Sequence, residues 1–262
     1  MDFIKSLSYF KIMPVLIGLL LHTVAYGVEI QPITGAGPTI NLSKIFFEHF
    51  SKIPAANGYE FPVAHRSIKH AGGIKASDKY LFGRTGRPLS KKEKAMGKEE
   101  ILLARIPLAI VVGEGVGVRS IAMQQLSDII TGKIKNWKTL GGPDQPIILA
   151  GREPSEAAFA ALKKDYPFFN KAQFNHVFTR DHQIIKIINS SGGKYTLSFG
   201  ARNNFEEKNI LHVEGFKSGI MAGLVYDVKN ENHPLVNAAK KYSSGKEWRK
   251  LLTENGYYTV TR

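Results

Sequence analysis

Leu126-Ser127-Asp128-Ile129-Ile130-Thr131-Gly132-Lys133-Ile134-Lys135-Asn136-Trp137 is the stretch on which the fold turns. Met123, Leu126, Ile129 and Ile130 recur at helical spacing, so residues 122–131 predict an amphipathic helix. Gly132 follows in the C-cap role, where a left-handed backbone ends a helix most easily. Just upstream, Ile106–Val112 is continuously apolar, as in a strand covered on both faces. Downstream, Pro146–Ala150 predicts a second strand. Working further out, Val28–Ile33 reads as a short strand and Asn41–Ser51 as a helix carrying Leu42, Ile45, Phe46 and Phe50. Ser155 is expected to cap a helix running to about Lys164, and Tyr195–Phe199 and Gly219–Tyr226 are expected strands. Pro234 opens a helix as a first-turn proline. Ser244-Gly245-Lys246-Glu247 has capping-box spacing for the last helix, which closes at Asn255-Gly256. Strands alternating with helices imply an α/β architecture with a mainly parallel sheet.

The chain has 262 residues, 36 Lys and Arg against 22 Asp and Glu, a formal net charge of +14 and no Cys. Ordinary globular composition excludes a disordered, collagen-like or multi-span membrane chain. Absence of Cys excludes disulfides, a thiolate metal site, a Cys nucleophile and a lipoprotein anchor. The basic residues are scattered. The one dense run, Lys91, Lys92, Lys94 and Lys98, reads as a solvated helix face, and no aromatic platform or DNA-reading motif accompanies it, so nucleic acid is not an expected partner.

Lys5 and Lys11 precede a nearly unbroken apolar run, Ile12–Ala25, that stops at Ala25-Tyr26-Gly27. This is the pattern of a cleavable export signal ending near Gly27. The competing reading is a retained anchor, but the run has about 14 residues where a span needs roughly 20, and His22 interrupts it. An exported chain without Cys or a lipid anchor fits a periplasm.

Two strand-to-helix junctions have the chemistry to hold an anion. Gly35-Ala36-Gly37-Pro38-Thr39 offers converging backbone N–H groups, a helix start and a hydroxyl. Gly151-Arg152-Glu153-Pro154-Ser155 offers a guanidinium fork beside a second helix start. Each also reads as a plain loop with an ordinary cap. Catalytic signals are thin. The eight His residues show no H-E-x-x-H spacing, there is no G-x-S-x-G elbow, and Gly113-x-Gly115-x-Gly117 lacks the rest of a dinucleotide fingerprint. His182, beside Arg180 and Asp181, reads as surface loop. No enzyme activity, cofactor or metal is expected.

The segment ending at Trp137 resembles the L-x-x-I-F-x-G-K-I-x-N-W segment of periplasmic phosphate-binding proteins, the substrate-binding components of ABC importers. Gly35–Thr39, Ala71-Gly72-Gly73-Ile74-Lys75, Phe82-Gly83 with Arg87-Pro88-Leu89-Ser90, and Gly151–Ser155 are similar to further family segments, in the same order. The resemblance implies a two-lobed type II periplasmic binding protein. One lobe would comprise residues 28–106 with 219–262, the other 107–218, and the chain would cross between them near Ile106-Pro107 and Gly219. It also implies an oxyanion held by Thr39, the Ile40 amide, His70 or Ala71, Arg152 and Ser155. Arg84 would add a cation nearby, and Glu156 could pair with Arg152 and fill its fork. The implied partners are a small anionic ligand and an ABC permease or a periplasmic sensor domain, with the membrane reached only through that partner and the chain a monomer. Two departures bear on selectivity. Gly86 stands where the family has the carboxylate that accepts a proton from hydrogen phosphate, and Glu156 and Ala157 replace a glycine and a hydroxyl donor. Two readings follow: capture of phosphate or a related anion for import, or a sensory or partner-binding module of the same fold that has lost high-affinity binding.

Overall fold

The computed structural model describes residues 27–260, so the expected export signal lies outside the described residues apart from Gly27. Ahead of the long central strand come β1 (Glu29–Ile30), α1 (Ile40–Phe50), β2 (Tyr59–Glu60), α2 (Lys69–Ala76), β3 (Gly83–Thr85) and α3 (Lys91–Ala95). Then follow β4 (Lys98–Val112), β5 (Ser120–Ile121), α4 (Met123–Ile130), β6 (Ile148–Arg152), α5 (Ala157–Asp165), β7 (His176–Phe178) and α6 (Asp181–Ile188). The chain closes with β8 (Thr196–Ala201), β9 (Ile210–Val213), β10 (Gly219–Asp227), α7 (Pro234–Ser243) and α8 (Lys246–Glu254). Among the described residues no helix is long and apolar enough to cross a membrane.

β4 organises the molecule. It has 15 residues, more than the apolar run alone suggests, and it changes partner midway. Lys98–Pro107 pairs with β10, whereas Leu108–Val112 pairs with β8, and the switch falls where Gly219 faces Pro107. Pro107 has no N–H to give to a ladder, so a strand loses least by changing neighbours there. The sheet order is β3-β10-β4-β8-β6-β7, with β9 beside β4 and β5 beside β9. Strand direction is mixed rather than mainly parallel. β1–β2, β5–β9, β6–β7 and β6–β8 are parallel, while every pairing of β4 and β10 is antiparallel. The reason is topological: β10 carries the chain back alongside β4, and a returning strand beside its outgoing one runs opposite to it.

Each half has an aromatic core with one fully buried Trp. Phe46 stacks or meets edge-on with Phe50, Tyr242 and Trp248, with ring centroids 5.3, 5.5 and 5.1 Å away, and Trp248 Nε1 donates to the Leu103 carbonyl at 2.9 Å. In the other half Phe159, Phe169 and Phe174 surround Phe199, and Trp137 Nε1 donates to the Tyr195 carbonyl at 2.9 Å. Burying each such ring is worth about 1.5–3 kcal/mol, and the indole N–H avoids a desolvation penalty by finding a carbonyl. Gly132 adopts φ +76° and ends α4 as its position predicts.

Three local expectations give way to different arrangements. Glu156, not Ser155, caps α5, its carboxylate accepting the Phe159 N–H at 3.0 Å. The last helix is capped by Gly245 without a side chain, because the Ser244 hydroxyl instead donates to the Lys240 carbonyl at 2.9 Å. Lys98 is not part of a solvated face; it is buried at the start of β4, its amine 2.5 Å from Asp78 and 3.0 Å from Asp227.

Candidate functional site

A cleft of about 950 Å³ lies between the two halves, and the starts of four helices line it. Ile40 and Asn41 open α1, Lys69–Ala71 open α2, Glu156 and Ala157 open α5, and Arg180–His182 open α6. Unpaired N–H groups at helix starts give each a partial positive charge of roughly half a unit, so four of them favour an anion. Arg152, at the end of β6, adds a full charge. The two walls approach each other at several points. Lys69 Nζ lies 3.0 Å from Glu153 Oε1. The Asp181 carboxylate faces the Gly37 turn, where a Cβ added to Gly37 would stand 3.5 Å from Asp181 Oδ2 and 3.0 Å from Ser67 Oγ.

The cleft brings together Ile40, His70, Ala71, Arg152 and Ser155 from the expected set. It leaves out Thr39 and Arg84. Thr39 is buried, and its hydroxyl turns back to donate to the Ala36 carbonyl at 2.9 Å, as a Thr in a tight turn readily does. The Ile40 N–H is likewise used within that turn, on the Gly37 carbonyl. Arg84 is fully buried beneath the cleft, where Nη2 donates to the Ala64 carbonyl at 3.0 Å while Nε and Nη1 have no partner. Burial without a counter-ion pulls its pKa down to about 10.

His70 lines the cleft without an N–H for a ligand. Its Nε2 lies 3.1 Å from the Glu93 carboxylate, which can only accept, so the ring N–H is committed there and the buried Nδ1 is left without a partner. Burial, reinforced by Arg87, lowers its pKa and keeps the ring neutral. Glu93 also takes a two-pronged grip from Arg87 at 2.9 Å per contact and closes the Ser90 capping box of α3. The Arg87 bonds, followed by those from Ser90, hold the Glu93 pKa down at about 2.

Arg152 is the largest difference between expectation and structure. Its fork is filled by Asp181, not Glu156. Nε donates to the Phe178 carbonyl at 3.1 Å, Nη2 to the Thr179 carbonyl at 3.3 Å, and Nη1 pairs with Asp181 Oδ1. Glu156 is spent on its own helix cap, and burial pushes its pKa up, with Arg152 opposing. Arg180, Asp181 and His182 therefore belong to the cleft wall rather than to a surface loop. The signal that could have placed them is Gln183, three residues after Arg180, whose Oε1 accepts the Arg180 N–H at 3.0 Å and so marks a helix start. Nothing in local spacing marks the pairing of Asp181 with Arg152. Sequence reasoning also missed Arg66, which stands exposed at the mouth with Arg180, both outside every ion pair among the described residues. Among the described residues no group of three His, Cys, Asp or Glu side chains could hold a metal.

A family model described as a PBP superfamily domain matches residues 33–249. The phosphate-binding protein PstS of Borreliella burgdorferi is 29% identical over 100 residues, covering 36% of this chain and 36% of that protein. PstS of Bacillus subtilis is 44% identical over 62 residues, covering 24% of this chain and 21% of that protein. The chain thus matches only about a third and a fifth of the length of these relatives. A Clostridium perfringens crystal structure, described as a phosphate ABC transporter substrate-binding protein with bound phosphate, has a TM-score of 0.72 at 20% identity, covering 89% of this chain and all of that one. That likeness carries the fold, including two lobes that face each other across a cleft. With the family model running through both halves and the cleft between them, the chain belongs to the PBP superfamily and has the two-lobed type II periplasmic binding fold.

Proposed function

We propose that the protein captures a small oxyanion, inorganic phosphate being the first candidate, in its interlobe cleft and delivers it to an ABC permease. The lobes of this reading are residues 28–106 with 219–262 and residues 107–218, hinged at the partner switch of β4 and the start of β10. The observation that carries the proposal is the convergence of four helix starts and Arg152 on one cleft. Such a set favours a compact anion. The names of the PstS relatives and of the Clostridium perfringens structure support phosphate as the first anion to try. In this reading the chain is exported, loses its leader near Gly27, works as a monomer in the periplasm and meets the membrane only through its permease. It binds and releases its ligand without altering it.

Affinity is expected to be modest. Asp181 and Glu156 already take acceptor positions that a ligand would use, and each charge-assisted hydrogen bond is worth roughly 1.5–3 kcal/mol. Two such bonds correspond to roughly two to four powers of ten in Kd. Titration calorimetry of residues 28–262 with phosphate, sulfate, molybdate and methylphosphonate tests the proposal. Saturable heat from at least one is expected, with a thermal shift equivalent to about 2.7 kcal/mol at 100 times Kd. No heat and no shift from any of them at millimolar concentration would overturn it.

A further inference from the structure

The inner end of the cleft is already charge-balanced by the chain itself. Arg152 is buried, and each of its three guanidinium nitrogens has an acceptor: the Phe178 carbonyl, the Thr179 carbonyl and the Asp181 carboxylate. Glu153 and Glu156 flank the same point. The second Asp181 oxygen faces the opposite wall, at the Gly37 turn next to Ser67. A carboxylate that pairs with a guanidinium on one side and faces a helix-start turn on the other has the position and the chemistry of a bound anion. Arg66 and Arg180, which make no ion pair among the described residues, line the same cleft and are exposed.

We infer that Asp181 is a tethered occupant of the anion seat, which an incoming ligand has to displace from Arg152. The inference rests on the anion-binding reading above and adds a selectivity rule to it. A tethered group competes at a high effective concentration without losing translational freedom again, so a free anion of equal charge exchanges with it at a loss. A ligand wins only by bringing more charge to the fork. The seat therefore favours dianionic tetrahedral oxyanions, such as sulfate and hydrogen phosphate, over monoanions such as nitrate, chloride and acetate. Asp181 in this role sets specificity through Arg152.

Calorimetric titration of the wild type and of Asp181→Asn, Asp181→Glu and Asp144→Asn with sulfate, phosphate and nitrate tests it. Asp181→Asn keeps the shape and removes the charge, Asp181→Glu keeps the charge, and Asp144→Asn removes one negative charge from an exposed site elsewhere. The expected result is sulfate and phosphate binding at least tenfold tighter in Asp181→Asn, with measurable nitrate binding in that variant alone. Asp181→Glu is expected to bind no more tightly than the wild type, and Asp144→Asn to match it. Equal binding by the wild type and Asp181→Asn overturns the inference and leaves the anion-binding reading standing. Binding by Asp181→Asn with a silent wild type supports both. Binding by neither overturns both. Equal tightening in Asp144→Asn overturns the inference, because net charge would then account for the gain.

Discussion

At the residue scale, two buried charges differ in how the fold compensates them. Arg84 has lost its water and gained one hydrogen bond, to Ala64, with two nitrogens left bare. Charged groups buried in this way cost several kcal/mol, and an apolar replacement of similar length is often more stable. Arg84→Met is therefore expected to raise the unfolding free energy by about 1–3 kcal/mol in urea while leaving phosphate affinity unchanged. A drop in affinity would show that the guanidinium acts on the ligand from below the cleft. Glu156 is buried too, but it caps α5. Its pKa is raised, so the folded state holds a proton that the unfolded chain gives up sooner. Stability from this group is thus full below the ordinary carboxylate range and is lost as pH rises through the raised value. Glu156→Gln weakens the cap by about 0.5–1 kcal/mol but has no such loss. Its deficit against the wild type is expected to shrink or reverse between pH 4 and pH 8 in paired urea titrations; a constant difference would contradict the burial argument.

Among the elements, α2 is placed by contact with β3 rather than by its own sequence. Gly73 packs so closely that a Cβ would stand 2.1 Å from the Arg84 carbonyl oxygen, and one on Gly83 would stand 1.9 Å from the Gly73 oxygen. Gly73→Ala must push α2 off the sheet, at about 1–3 kcal/mol of stability, and move the amides of His70 and Ala71 away from the cleft. Weaker phosphate binding is expected to accompany the lower melting temperature, and a fall in stability alone would exclude α2 from the site. This contact also shows how far the sequence could be read. Local signals held: the helical spacing before Gly132, Pro234 at a first helical position, and the glycine-rich junctions at Gly35 and Gly151 that do border the cleft. What depended on distant partners did not show. Lys98 looked like surface until Asp78 and Asp227 met it, and Asp181 looked like loop until folding set it against Arg152, 29 residues away. The first half of β4 was hidden for a related reason, since Lys98, Glu99 and Glu100 break the apolar run although they lie in a central strand.

On the scale of the whole molecule, the two lobes and the net charge act together. The halves are tied behind the cleft by an Arg105–Asp165 pair at 3.2 Å, beside the point where β4 changes partner, and the Ser218 hydroxyl, in the same lobe as Asp165, holds that carboxylate in place at 2.8 Å. In front of it Lys69 reaches across to Glu153 and Asp181 faces the Gly37 turn, and the exposed Lys69 pair is worth about 0–1 kcal/mol. Arg66 and Arg180 line the cleft and are exposed to solvent, so an anion approaching it meets their charge. A chain of net charge +14, with guanidinium groups lining a low-dielectric cleft that make no ion pair among the described residues, attracts anions over about 10 Å at 0.1 M salt, and less as salt rises. The chain has no Cys, so a single introduced one, Lys92→Cys on α3, accepts a fluorophore that reports binding in stopped flow. The phosphate association rate constant is expected to fall as sodium chloride rises from 20 to 200 mM, on the order of several-fold. Arg66→Ala with Arg180→Ala should flatten that dependence, because screening then has less field to remove, while the dissociation rate constant changes by less than about twofold. If the two mouth arginines instead contact the bound anion, their loss will appear mainly in dissociation and the salt dependence of association will keep its slope. Measuring both rate constants thus separates a cation that guides the ligand in from one that holds it.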